Sequence, residues 1–299
     1  TAPLAVWCRH SSGDAKAYDI ELREGRKYPN GKKMTWAHDV ASRKRSYANA
    51  SGGKRVGVKV GEVTAPEKYV VAIRLNTPYA PLLALLAMNN SSAIILPAEL
   101  CEGDLRENIG TGVYKFAEHQ PDRYIRLVRN DDYLPRDDEA DLYGGRRVAY
   151  FDEIRFVPVP SANTRIEGAL AGQYEFSDQI PVESYDRLLG NDKIEPAMVA
   201  PYGTPFIFLN HKAGVFPNQR LRKAFQVLLS EDDMMAAAFG EPEFYQVDGS
   251  FFPEGYFYHR TDGIEGNYNM GDIDKAAAIL KEEKYDGTPV RILVSMQYE

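Results

Sequence analysis

Cysteine and histidine are scarce in this chain. Its 299 residues hold two cysteines, Cys8 and Cys101, and five histidines. Two cysteines permit one disulfide or two free thiols, and both readings stay open. His10, His38, His119, His211 and His259 never fall at the helical or hairpin spacing of metal ligands, which argues against a zinc site built from local sequence. Cationic excess is lacking too. A formal net charge of −7 opposes a nucleic-acid backbone as partner, because affinity there rests on clustered Lys and Arg. The basic run Arg43-Lys44-Arg45 reads as a solvated helix face. The longest apolar run, Ala80 to Met88, falls far short of the roughly 20 residues that span a bilayer. Phosphate-loop and calcium-loop patterns are missing as well. Gly110-Thr111-Gly112 lacks a third glycine and leads into a strand rather than a helix N-terminus, and the acids from Asp131 to Asp141 lack the alternating spacing of an ion loop. Ser51-Gly-Gly-Lys54 matches a serine–lysine nucleophile pattern only formally, since two glycines argue for a loop there. No internal repeat or low-complexity segment occurs, and the first residues show no charged head followed by a long apolar run.

What is present is a chain long enough for two domains, since single cores stop growing near roughly 250 to 300 residues. Tyr18, Ile20 and Leu22 alternate with polar residues and predict one face of a strand, and Pro29-Asn30-Gly31 predicts a turn. Thr35 is placed to cap a helix through Trp36, Val40 and Tyr47, which Ser51-Gly52-Gly53 should end. Tyr69 to Leu75 is apolar on both faces and reads as a buried strand, followed by a short helix through Leu82 and Leu86. Val113 to Phe116 and Tyr124 to Arg129 form a hairpin: Pro121 and Asp122 favour its turn, and Gly110 and Gly112 allow backbone angles closed to other residues. Phe151 to Val157 alternates as a strand. Ser161 and Gly172 bracket a helix with Ile166 and Leu170 inward. Phe206 to Asn210 reads as a strand before a helix capped by Asn218, whose Leu221, Ala224, Phe225 and Leu228 share a face. A last helix carries Ile273, Ala276, Ala277 and Leu280 on one side, and Val290 to Val294 reads as a strand. The chain stops soon after that strand, so a fragment is expected.

Several of these segments, in order, carry a family resemblance. Leu4-Ala5-x-Trp7, Tyr18-x-Ile20-x-Leu22-Arg23-x-Gly25, Asn30-Gly31-Lys32 with Thr35-x-x-x-Asp39-Val40, and Gly110-Thr-Gly-x-Tyr-Lys-Phe116 closing on Arg129-Asn-Asp-Asp-Tyr133 open the series. Leu209-Asn210 with Phe216-x-Asn218-x-Arg220-Leu-Arg-Lys-Ala-Phe225 and the helix ending at Tyr285 complete it. Together they resemble the family 5 extracellular solute-binding proteins, receptors of ABC importers. Departures are His38, the short glycine-rich link from Ser51 to Val58, and Lys284 where the family usually has glycine. The resemblance implies an α/β fold of the two-lobed periplasmic-binding-protein type (class II, cluster C) with an extra peripheral domain and an incomplete second lobe. It places the peripheral domain at 1–97, the lobe I core at 98–204 and the start of lobe II at 205–299, and it implies that the family's opening strands and C-terminal portion are absent.

The same resemblance implies a function without bond-making: capture of a peptide or similar small polar solute between two lobes and delivery to a membrane permease. The implied partners are that solute (peptide, opine, metal chelate or oligosaccharide) and the ABC permease subunits. No nucleic acid and no cofactor is expected, and the protein is expected as a monomer in the periplasm or outside the cell, held by a lipid anchor in the absent N-terminus. Ser177, Asp178 and Gln179, before the Ile180-Pro181 step, are the expected ligand wall, joined by Tyr202, Gly203 and Phe206. An aromatic-rich stretch, Phe244, Tyr245, Phe251, Phe252, Tyr256, Phe257 and Tyr258, is expected to pack the core of its own lobe. The rival reading is a secreted hydrolase of peptides or glycans, which 43 acidic residues leave open and which predicts carboxyls with strongly displaced pKa values.

Overall fold

A computed structural model describes residues 5–10, 12–87, 94–140, 144–199 and 203–294. The chain divides into two compact units, Thr1–Pro158 and Val159–Glu299.

In the first unit, β1 (Ala5–His10), β2 (Ala17–Leu22), β3 (Val60–Glu67) and β4 (Val70–Leu75) form an antiparallel sheet in the order β1-β2-β4-β3. The alternation expected for β2 holds: Tyr18, Ile20 and Leu22 are buried while the residues between them are partly open. β4 is flanked on both sides and buries Val71, Ala72, Ile73 and Leu75, as a two-faced apolar run should. Nothing in the sequence marked β3. Its Pro66 and its two glutamates suit an edge strand, and among the described residues it pairs with β4 alone. Val56, Leu82, Tyr28 and Met34 close over the sheet and complete its core.

Helix α1 (Trp36–Asn49) begins after Thr35, which sits at the cap position but makes no side-chain capping hydrogen bond. Val40 and Tyr47 pack against the core as expected, but the most deeply buried residues of α1 are polar. Asp39 and Arg43, one turn apart, are 1% and 8% exposed and form an ion pair, with Arg43 Nη2 3.2 Å from Asp39 Oδ2, while Trp36 is left 42% exposed. Arg45 donates to the carbonyls of Cys101 and Gly103, so the basic run is no solvated face; only its Lys44 is exposed. Ser51 to Gly57 is a second helix, α2, and not the expected loop. Gly53 serves close approach: a Cβ there would stand 2.0 Å from the Ser46 carbonyl oxygen of α1. His38, at the place of a capping-box acid, accepts from the Ala98 amide through Nδ1 at 2.9 Å. Cys101 is a free thiol, 3.6 Å from Ser42 Oγ. After α2 and β4 comes the short helix α3 (Leu82–Ala87).

β5 (Tyr114–Gln120), β6 (Tyr124–Arg129) and β7 (Glu153–Phe156) make a second antiparallel sheet, with β6 central. The hairpin turn puts Asp122 at φ 59°, the left-handed region that Asp tolerates. Gly110 and Gly112 do not take positive φ, so backbone freedom is not what places them. Buried Asn130 instead ties the Gly-Thr-Gly turn down, its side-chain amide donating to the Gly112 carbonyl at 3.1 Å.

The second unit holds α4 (Ala162–Leu170), α5 (Tyr185–Leu189), α6 (Gln219–Leu228), α7 (Glu231–Phe239) and α8 (Ile273–Glu282). Ser161 caps α4 and Asn218 caps α6, the latter accepting from the Arg220 amide at 2.8 Å. Helices α6 and α8 pack through Ala224, Val227, Ala276 and Ile279. The expected faces are therefore rotated slightly: Leu228 and Ile273 are 44% and 69% exposed. Among the described residues no helix is long and apolar enough to cross a membrane.

Candidate functional site

The expected wall is built from one helix and the turn that follows it. Gly172, at φ 71°, ends α4, and Tyr174 folds its ring back onto Gly168, where a Cβ would stand 2.3 Å from the ring. The chain then passes Ser177, Asp178 and Gln179 on its way to Ile180-Pro181. Asp178 and Gln179 are exposed and Ser177 is half-buried, its hydroxyl donating to the Arg165 carbonyl at 3.3 Å. Gln179 holds φ at 51°, a region that is costly for a non-glycine residue.

The residue that holds this wall was not singled out by sequence. The Arg165 guanidinium donates to four backbone carbonyls: through Nη1 to Val159 at 2.7 Å and Pro160 at 3.0 Å, through Nε to Asp178 at 3.2 Å and through Nη2 to Gln179 at 2.9 Å. A local signal for half of this exists. Val159-Pro160-Ser161 followed by Arg165 matches Phe216-Pro217-Asn218 followed by Arg222, where Arg222 Nη1 donates to the Phe216 and Pro217 carbonyls at 2.7 and 3.1 Å. Proline before the cap withholds an amide donor, and an arginine four residues after the cap reaches back to the carbonyls left there. The reach of Arg165 onward to residues 178 and 179 has no counterpart in the local pattern.

The second group is less built. Tyr202 lies outside the described residues, and Gly203 has open space where a side chain would stand. Phe206 lies in an extended segment that forms no ladder among the described residues, so the strand expected from 206 to 210 is absent as such. A strand requires a paired neighbour, and residues 290–294 lack one in the same sense. The alternation is nonetheless real. Ile207 and Leu209 line a groove of 420 Å³ with Phe225 of α6, while Phe206 and Phe208 sit ring to ring at 6.0 Å. Phe206 also stacks on Phe251 at 5.6 Å, which leads through Phe252 to Tyr258 and Phe257. These rings pack on one another instead of filling a core: Phe251 is 71% exposed and Phe257 84%. Their loop is closed by Asp248, which accepts from the Ser250 and Glu254 amides and lies 3.1 Å from His259 Nε2. Among the described residues no hydrogen bond or ring contact joins Ser177, Asp178 or Gln179 to Gly203 or Phe206.

Two carboxyls of the β5-β6-β7 sheet are displaced downward. Hydrogen bonds from Gln120 and Tyr124, helped by Arg126, hold Glu118 below the usual carboxylate range, and Arg155 does the same for Glu153. A general acid needs the opposite displacement. Lys54 of the serine–lysine pattern is exposed although the segment is helical, whereas an activated nucleophile needs an enclosed site. Two of the acids between Asp131 and Asp141 pair with arginines, Asp131 with Arg129 at 3.1 Å and Asp138 with Arg136 at 2.8 Å.

Comparison with known proteins agrees over nearly the whole chain. Residues 5–298 match the bacterial extracellular solute-binding proteins, family 5 Middle. The probable peptide ABC transporter periplasmic-binding protein y4tO of Sinorhizobium fredii is 24% identical over 293 residues, covering 94% of this chain and 54% of that protein. The dipeptide-binding protein DppE of Bacillus subtilis is 25% identical over 321 residues, covering 93% of this chain and 54% of that protein. The chain thus spans about half the length of these curated relatives. Among solved structures, NikA from Staphylococcus aureus in complex with Ni(L-His)2 aligns with a TM-score of 0.74 at 18% identity, covering 94% of this chain and 56% of that one. The fold is accordingly the two-lobed α/β type of the periplasmic binding proteins.

Proposed function

The chain belongs to the bacterial extracellular solute-binding proteins, family 5, and from that premise we propose that it is part of the receptor of an ABC importer. The receptor captures a peptide or similar small polar solute between two lobes, outside the cytoplasm, and hands it to the membrane permease. Solute contacts made only in the closed state favour closure, and the closed form is what the permease reads. No bond is made or broken. The observation that carries this reading is the family match from residue 5 to residue 298. In this reading Ser177, Asp178, Gln179, Tyr202, Gly203 and Phe206 face the solute, with the peripheral domain of lobe I ending near residue 97 and lobe II starting near residue 205.

Native mass spectrometry of the full-length protein as purified, followed by calorimetry with any co-purified species, tests the proposal. A solute recovered unchanged is expected. Cleaved product, or failure of every peptide, opine, metal chelate and oligosaccharide to bind, would overturn it. Asp178→Ala checks the wall: unchanged affinity for the recovered solute would remove residues 177–179 from the site.

A further inference from the structure

We propose that Arg165 is a positioning residue that sets the shape of the solute-facing turn at residues 177–179; the inference rests on the reading of that turn as a ligand wall. Four carbonyl acceptors surround one guanidinium, two from the chain entering α4 and two from the turn after it. Ser177 closes the loop in the other direction by donating to the carbonyl of Arg165 itself. The bonds that cross from α4 to the turn are the ones that matter. With the carbonyls of Asp178 and Gln179 turned inward to Arg165, both side chains stand exposed at the surface. Gln179 stays at φ 51° because its carbonyl is held, and the bond from Arg165 offsets the cost of that conformation. Only a planar fork with several donors can meet carbonyls on both sides, so lysine is a poor substitute. Arg165 does not meet the solute in this arrangement. It acts through the turn.

Arg222 supplies a matched control, because it makes the same two bonds at the start of α6. The experiment compares Arg165→Gln, Arg165→Lys and Arg222→Gln in the full-length protein by amide hydrogen exchange, and by calorimetry with a library of di- to pentapeptides. The Ser184 amide, bonded to the Pro181 carbonyl at 3.0 Å, is the first protected amide beyond the clamped turn, and Arg165→Gln is expected to quicken its exchange by about tenfold while β2 and β4 stay protected. Arg165→Lys should recover part of that protection. Arg222→Gln should loosen the start of α6 and leave the Ser184 amide and peptide affinity unchanged. Affinity should fall in Arg165→Gln, and combining it with Asp178→Ala should cost little beyond either change alone, since both act through one turn. Unchanged exchange at the Ser184 amide in Arg165→Gln, or fully additive losses in the double variant, would overturn the proposal. Failure of the wild-type protein to bind any library peptide would overturn the peptide reading of the function, and the exchange comparison would still decide the clamp.

Discussion

Replacing Asp39 with alanine strips the carboxylate from a guanidinium that has almost no access to water. Asp39 is 1% exposed and Arg43 8%, and the carboxylate is met by both Nε and Nη2 of the same guanidinium. An exposed pair at this spacing on a helix contributes only about 0.3–0.5 kcal/mol. Breaking a buried pair by removing one partner costs about 3–5 kcal/mol, because the remaining charge is left in a medium that solvates it poorly. Burial decides between these figures, so the larger applies. Against a domain stability of about 5–15 kcal/mol, this is a large fraction of the whole. Both tryptophans, Trp7 and Trp36, lie in that unit, so tryptophan fluorescence during urea unfolding reports on it without interference from residues 159–299. At roughly 2 kcal/mol per molar urea, the midpoint should fall by about 2 M. Replacing both partners, Asp39→Ala with Arg43→Met, should recover much of the loss, since an apolar pair avoids the desolvation cost. A fall of less than about 1 kcal/mol in Asp39→Ala, the size of a surface pair, would refute the reasoning.

Three further expectations rest on local geometry. Gly53→Ala should destabilise the first unit by about 1–2 kcal/mol in urea unfolding, because steric overlap with the Ser46 carbonyl outweighs the roughly 1 kcal/mol that alanine gains in a helix; stabilisation would mean that α1 and α2 can separate freely. Lys284 ends α8 at φ 52°, with the Tyr285 amide bonded to the Leu280 carbonyl and the Lys284 amide to Lys281, so Lys284→Gly should stabilise by about 0.5–1 kcal/mol, read as slower exchange across α8. Burial, with Glu231 and Asp248 nearby, pushes the Tyr268 phenol up to about 12, so its absorbance change should come later in an alkaline titration than that of an ordinary tyrosine near 10. The sign follows from the raised value: any stability contributed by the protonated phenol is complete below about pH 10 and is lost as the pH climbs toward 12, and Tyr268→Phe should flatten that loss.

Much of the fold was legible because its signals are local. The alternation in β2, the two-faced apolar run of β4, the caps at Ser161 and Asn218 and the turn at Asp122 are each written within a few residues, and each forms as expected. What failed was whatever depends on a distant neighbour. Two adjacent glycines argue for a loop until the Ser46 carbonyl is placed against Gly53, after which Gly53 is the condition for a helix packing there. An arginine in a basic run reads as solvated until the carbonyls of Cys101 and Gly103 are placed against Arg45. Phe206 to Asn210 has strand composition, yet composition cannot supply a ladder, and only its alternation survives. The candidate wall divides along the same line. Residue types at 177–179 suggested hydrogen bonding to a solute, but whether three polar side chains form a wall or an idle turn depends on what fixes their backbone. Arg165 fixes it across 13 and 14 residues, from a helix whose pattern advertises only burial. Half of that role could have been read, since proline, cap and arginine recur at Arg222 with the same two carbonyl bonds. The half that reaches the turn could not, because it depends on how far Gly172 and Tyr174 bend the chain back over α4, and that bend is set by the fit of a ring against Gly168.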